Sequence, residues 1–175
     1  MIDVILVDQD DNEFGIEEKI KVHNLGLLHR AFSIFVFDRD LLLLQQRNKS
    51  LYHSGGLWSN TCCSHPLPNE KIIDAGIRRL KEEMGFTLEL QNIGKITYKH
   101  YFPNNMIEHE IDHILIGYYN NQPIIANEME VMDYKWMSID STKQDMSEYP
   151  EQYTMWFSQA LNLALDFKRN IKTLN

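Results

Sequence analysis

Cys62 and Cys63 are the chain's two cysteines, side by side in WSNTCCSHP, with His65 two positions further on. A cysteine does acid–base or nucleophilic work only when its sulfur is accessible. Its free pKa of about 8.5 falls beside a cation or a metal and rises in apolar surroundings. Neighbouring residues of an extended segment point to opposite faces. One pocket therefore receives one of the two thiols. The plain alternative is a pair of small buried hydrophobes, the common fate of free cysteine. A disulfide between neighbours is strained, and zinc motifs separate their thiols by two or more residues so that both reach one ion. Both thiols are expected to be free, and a structural zinc protein built on Cys62, Cys63 and His65 is disfavoured.

A second group has the chemistry of a metal site. His23, His29 and His65 come from different segments, and Glu108 and Glu110 flank a histidine in EHE. At the entrance of a strand the two carboxylates share a face, with roots about 7 Å apart. Three imidazoles and two carboxylates suit a divalent ion with mixed nitrogen and oxygen ligands. There are seven histidines in all, and most histidines are surface or hydrogen-bonded residues. His53, His100, His109 and His113 are read that way.

The third group is RRLKEEMGF, residues 78–86. It resembles the Nudix box, a loop–helix motif that holds magnesium against a diphosphate. Glu70, Arg78, Leu80, Glu82, Glu83, Gly85 and Phe86 fit that pattern. Two positions depart: Ser64 stands at its first glycine and Arg79 at its second glutamate. Arg79 and Glu83 are four apart and share a helix face, where a guanidinium beside a metal-binding carboxylate suits a diphosphate. Taken alone, an ordinary surface ion pair explains them better, since such pairs are common.

These groups need elements to hold them. Strands are expected at residues 2–7, 32–37, 41–46, 93–100, 111–119 and 130–137. Residues 8–12 read as a polar turn, for a hairpin or a short connection. Asn69 is a plausible N-cap for a helix that ends near Gly85, with Ile73, Ile77, Leu80 and Met84 at helical spacing. Residues 149–172 read as a helical tail. Sheet and helices interleave without a strict βαβ rhythm, which predicts an α+β fold with a mixed β-sheet between helices. The 175 residues show no repeat or linker, so a single domain over 1–175 is expected.

A net charge of −8 disfavours nucleic acid or an anionic membrane surface as a partner. It leaves room for a small anion beside local cations. Apolar runs such as residues 41–44 are far too short to span a bilayer. MIDVILVDQDDNEF lacks the basic start of a signal peptide, and a cytoplasmic location is expected.

Taken together, WSNTCCSHP, the degenerate Nudix box, EHE and EVMDYKW resemble the type I isopentenyl-diphosphate isomerases, over about residues 3–156. The resemblance implies interconversion of isopentenyl and dimethylallyl diphosphate, by protonation on one face and deprotonation on the other, through a tertiary-cation-like state. It assigns the catalytic thiol to Cys63, the opposing acid/base to Glu110, a hydrogen-bonded proton relay to Tyr98 and a cation-facing π surface to Trp156. It places one divalent ion (manganese, zinc or magnesium) on His23, His29, His65, Glu108 and Glu110. Magnesium would arrive with the diphosphate, on Glu83 and the Cys63 carbonyl. Lys19, Arg47, Arg79 and the Ser64 N–H would bind that diphosphate. No flavin is implied, and a monomer or weak dimer is expected. Leu51 stands where relatives often carry a lysine. The segment holding His23 is expected to order on binding. The competing reading is a Nudix pyrophosphohydrolase acting on a nucleotide-like diphosphate.

Overall fold

The structure, a computed structural model, describes residues 2–174. The chain opens with a hairpin of β1 (Asp3–Val7) and β2 (Glu13–Glu18). Its turn closes on Asp8, whose Oδ1 accepts the N–H groups of Asp10 and Asn12 at 3.0 and 2.9 Å. A short helix α1 (Lys19–Leu25) follows. The Glu18 carboxylate caps it by accepting from Ile20 and Lys21, and Gly26 stops it at φ 64°. The segment expected to order on binding is thus a strand and a helix. Its seven residues put Lys19 and His23 one turn apart on one face.

The central strand is β3 (His29–Asp38), returning as β4 (Leu41–Arg47). Two short strands, β5 (Trp58–Ser59) and β6 (Cys62–Ser64), precede helix α2 (Ile72–Met84). Then come β7 (Gln91–Tyr101), β8 (Ile107–Tyr118), β9 (Val131–Ser138), α3 (Ile139–Glu148) and α4 (Phe157–Leu174). Among the described residues nine strands form one mixed sheet. β3 runs antiparallel to β6 and parallel to β8, and β8 pairs antiparallel with β7.

The alternation of β3 splits the core in two. Phe32, Ile34 and Val36 pack with Cys62, Leu43 and Leu115 against Ala75, Leu80 and Met84 of α2. Phe35 and Phe37 face the other way, onto Trp156, Phe157, Leu161 and Leu165. Helices therefore cover both faces of the sheet, the α+β arrangement that the sequence predicts. At Gly76 a Cβ would lie 2.7 Å from Leu115 Cδ1, so the absent side chain brings α2 close to the sheet.

Two local expectations are corrected. Asn69 is not the N-cap of α2; it sits in a left-handed turn at φ 65°, and the cap is Lys71, with no side-chain hydrogen bond. The loop is tied by Glu70 instead, which accepts from the Leu67 N–H at 2.9 Å and from Arg78 Nε and Nη2 at 2.7 Å each. The tail is not helical from residue 149. A 3-10 turn over Pro150–Gln152 comes first, and α4 begins at Phe157. Among the described residues no helix is long and apolar enough to cross a membrane.

Candidate active site

One face of the sheet carries the polar groups. His29 on β3 lies beside Glu110 on β8, and Glu110 beside Tyr98 on β7. Four residues along β3, Ser33 lies beside Cys63 on β6. Strand alternation does the selection: Cys62 is fully buried in the α2 core, while Cys63 is half-buried and reaches the other face. EHE behaves likewise, with Glu108 and Glu110 buried and the Nδ1 of His109 against the Gly26 carbonyl.

The histidines converge on Glu110. Nδ1 of His23 donates to the Lys19 carbonyl at 2.7 Å, and Nδ1 of His29 to the Leu27 carbonyl at 2.9 Å. In the neutral ring this leaves a bare lone pair on each Nε2. His23 Nε2 is buried and has no partner. His29 Nε2 lies 3.1 Å from His65 Nε2 and 3.3 Å from Glu110 Oε1, which His65 Nε2 approaches to 2.9 Å. The ligand atoms of His23, His29, His65 and Glu110 fall within 4.8 Å of one another. Burial holds His23 down at about 4 and His65 well below its usual range, so both rings are neutral at pH 7.

Buried acceptors gathered around one point, with imidazoles oriented by backbone carbonyls, match how proteins hold a divalent ion. The donor set therefore fits the metal. The two carboxylates differ. Burial and the charge of Glu110 push Glu108 well above the carboxylate range. Burial pushes Glu110 up as well, but the neighbouring rings of His29 and His65 outweigh it and hold Glu110 well below. Tyr98 donates its hydroxyl to Glu110 Oε2 at 2.5 Å.

Cys63 Sγ accepts a hydrogen bond from Arg47 Nη1 at 3.3 Å. Burial pushes this thiol up to about 12 despite the guanidinium, so it is protonated at neutral pH. Trp156 is fixed by donating Nε1–H to Asn60 Oδ1 at 3.2 Å; Tyr98 stacks on it at 6.2 Å and Arg47 lies 5.7 Å from its ring centre. On α2, Arg79 donates to Glu83 at 2.6 Å, to Glu82 at 2.6 Å and to Glu130 at 3.2 Å. The i,i+4 pair is thus real, but it is not a solvated surface pair, since Glu83 is buried and also accepts from Gln45 at 3.1 Å.

These groups meet in one cavity of about 460 Å³, within the range of small-molecule sites. Lys19, Arg47, Arg79, Ser64 and Glu83 line it together with Cys63, Glu110, Glu108, His65, Tyr98 and Trp156. His23 and His29 are fully buried in the cluster behind that lining. Leu51 also lines the cavity.

His53 is a correction. It is no plain surface or core histidine: it lines the cavity, and its Nε2 lies 3.2 Å from Glu108 Oε1. With His23 and Glu108 it forms a second close donor set. Tyr52 was also missed; it lines the cavity with the Lys19 ammonium 5.0 Å from its ring centre. The one signal for either is an aromatic–histidine pair just before Ser54 and two glycines.

A NUDIX domain model matches residues 27–157, which places the chain in that class. The MutT protein from Methanosarcina mazei Go1 shares its fold, with a TM-score of 0.65 at 17% identity over 83% of this chain and 96% of that one. The isopentenyl-diphosphate Delta-isomerase of Serratia proteamaculans (strain 568) is 49% identical over 155 residues, 88% of this chain and 86% of that protein. That of Pectobacterium atrosepticum is 44% identical over 174 residues, covering 99% of this chain and 97% of the relative. The chain belongs to the isopentenyl-diphosphate Delta-isomerase family.

Proposed function

We propose that the protein interconverts isopentenyl diphosphate and dimethylallyl diphosphate. The observation that carries this reading is a thiol, Cys63, and a carboxylate, Glu110, lining one cavity with an indole and four cationic side chains, Lys19, Arg47, Arg78 and Arg79. A double bond moves when one carbon gains a proton and another loses one. An acid and a base held in place supply both steps. The two groups exchange roles with the direction of reaction. Tyr98, bonded to Glu110, passes the proton on. The tertiary cation formed between the steps is stabilised by the face of Trp156.

Lys19, Arg47, Arg79 and the Ser64 N–H bind the diphosphate at the other end. A divalent ion (manganese, zinc or magnesium) on His23, His29, His65, Glu108 and Glu110 would set the proton affinity of Glu110. Magnesium accompanying the diphosphate would be held by Glu83 and the Cys63 carbonyl. The whole chain acts as one domain in this reading, without flavin, in the cytoplasm.

Pyrophosphate hydrolysis is the lesser reading. Arg79 occupies a position where the Nudix box carries glutamate, and its guanidinium neutralises Glu83 instead of adding a carboxylate for metal.

Incubation with isopentenyl diphosphate and magnesium in deuterated water tests the proposal. Dimethylallyl diphosphate carrying deuterium is the expected product. Release of phosphate without isomerisation would move the protein to the hydrolases. Cys62→Ala is expected to retain turnover within about twofold, because its side chain faces α2, and to cost about 1 kcal/mol of stability in urea unfolding. A turnover loss as large as that of Cys63→Ala would assign the chemistry to the wrong thiol.

A further inference from the structure

His53 lies in the loop between β4 and β5, outside the five ligands that the family resemblance assigns, and is 7% exposed. Its ring has little freedom. Phe102 stacks on it at 4.8 Å and 16°, and Tyr52 and Trp156 meet it edge-on at 4.3 and 6.2 Å. Nδ1 lies 3.3 Å from Ser54 Oγ. When that hydroxyl donates to Nδ1, the ring proton sits on Nε2, facing Glu108 Oε1 at 3.2 Å. The other oxygen, Oε2, is buried and has no partner, and so is Nε2 of His23. The His53–Glu108 pair stands at contact distance but short of hydrogen-bond alignment. Turning one carboxylate to align Oε1 with His53 therefore also aims Oε2.

We propose that His53 is a positioning residue of the metal centre: it holds Oε1 of Glu108 so that Oε2 is presented to the ion. His23 argues against a second, separate ion. It belongs to both donor sets, and its Nε2 has one lone pair, which serves one cation at a time. The two sets are one centre, and His53 is its outer support. This rests on the metal reading of the His/Glu cluster.

The test is Mn²⁺ and Zn²⁺ affinity, measured against a competing chelator on the full chain stripped of metal. His53→Phe keeps a ring to stack on Phe102 but has nothing to donate. It is expected to weaken binding about 10- to 100-fold, with the melting temperature of the stripped protein unchanged. His53→Gln, which restores an N–H, is expected to recover most of the loss. In a Glu108→Gln background His53→Phe is expected to have no further effect. His53→Leu repeats the comparison if the phenylalanine variant does not fold. Wild-type affinity in a folded, donor-less variant overturns the proposal, as does an undiminished loss in the Glu108→Gln background. Failure of the wild type to bind either ion would instead overturn the metal reading beneath it.

Discussion

Cys63→Ala is expected to fold normally and to lose isomerisation by about 10²- to 10⁴-fold, the usual contribution of a positioned acid or base. The geometry behind this number is local. β6 delivers Sγ to the cavity, Arg47 Nη1 contacts it at 3.3 Å, and burial keeps the proton on sulfur up to a pH of about 12. Alanine removes the proton carrier and leaves the rest of the cavity in place. The loss should fall on kcat, because the proposed diphosphate ligands Lys19, Arg47 and Arg79 are left in place; KM is expected to move by less than about threefold. Steady-state rates in deuterated water check this, alongside a urea melt to show the fold. Turnover within tenfold of wild type would remove Cys63 from the mechanism.

Glu110→Gln should be at least as severe, for two reasons that separate experimentally. The amide keeps the shape and still accepts from the Tyr98 hydroxyl, but it can neither take nor give a proton near neutral pH. It also withdraws the anionic oxygen that His65 and His29 approach at 2.9 and 3.3 Å. Turnover is expected to fall by about 10²- to 10⁴-fold, and the affinity for Mn²⁺ or Zn²⁺ to fall with it. Assaying the variant with enough ion to fill the site isolates the proton-transfer part, and that part alone should leave the enzyme crippled. Activity restored to near wild type by excess ion would reduce Glu110 to a ligand and return the acid/base role to another group, with Tyr98 the first to test by Tyr98→Phe.

Much of this was legible because strands have a period of two. The alternation that sends Cys62 to the α2 core also sends Cys63 to the cavity, and the same period puts Glu108 and Glu110 inside. The helical spacing of Ile73, Ile77, Leu80 and Met84, with Gly85 as a left-handed stop, fixed α2 nearly to its end. Its start was misread because the control is tertiary. Arg78, eight residues on, grips Glu70 through both nitrogens, and Asn69 is left to turn the chain. Helix α1 was missed because its cap is a glutamate and its length is seven residues, below what periodicity resolves. His53 was unreadable for a related reason: nothing beside it in sequence places it near Glu108, and only the folding of β4, β5 and the β7–β8 hairpin around Phe102 does so.

The opposed directions of the two thiols bear on how such an enzyme ages. Should Cys63 be oxidised to a sulfenic acid, rescue by a disulfide needs a second thiol within reach. The chain has one other cysteine, and its side chain lies on the far side of the sheet, fully buried. Reaching it would require β6 to leave β3, and the pairing of Ser33 with Cys63 and Ile34 with Cys62 holds it there. Oxidation at Cys63 therefore has no internal thiol partner, and rescue through a disulfide needs an outside thiol. The bound proton is the safeguard, because peroxide attacks thiolates and the cavity keeps this sulfur a thiol.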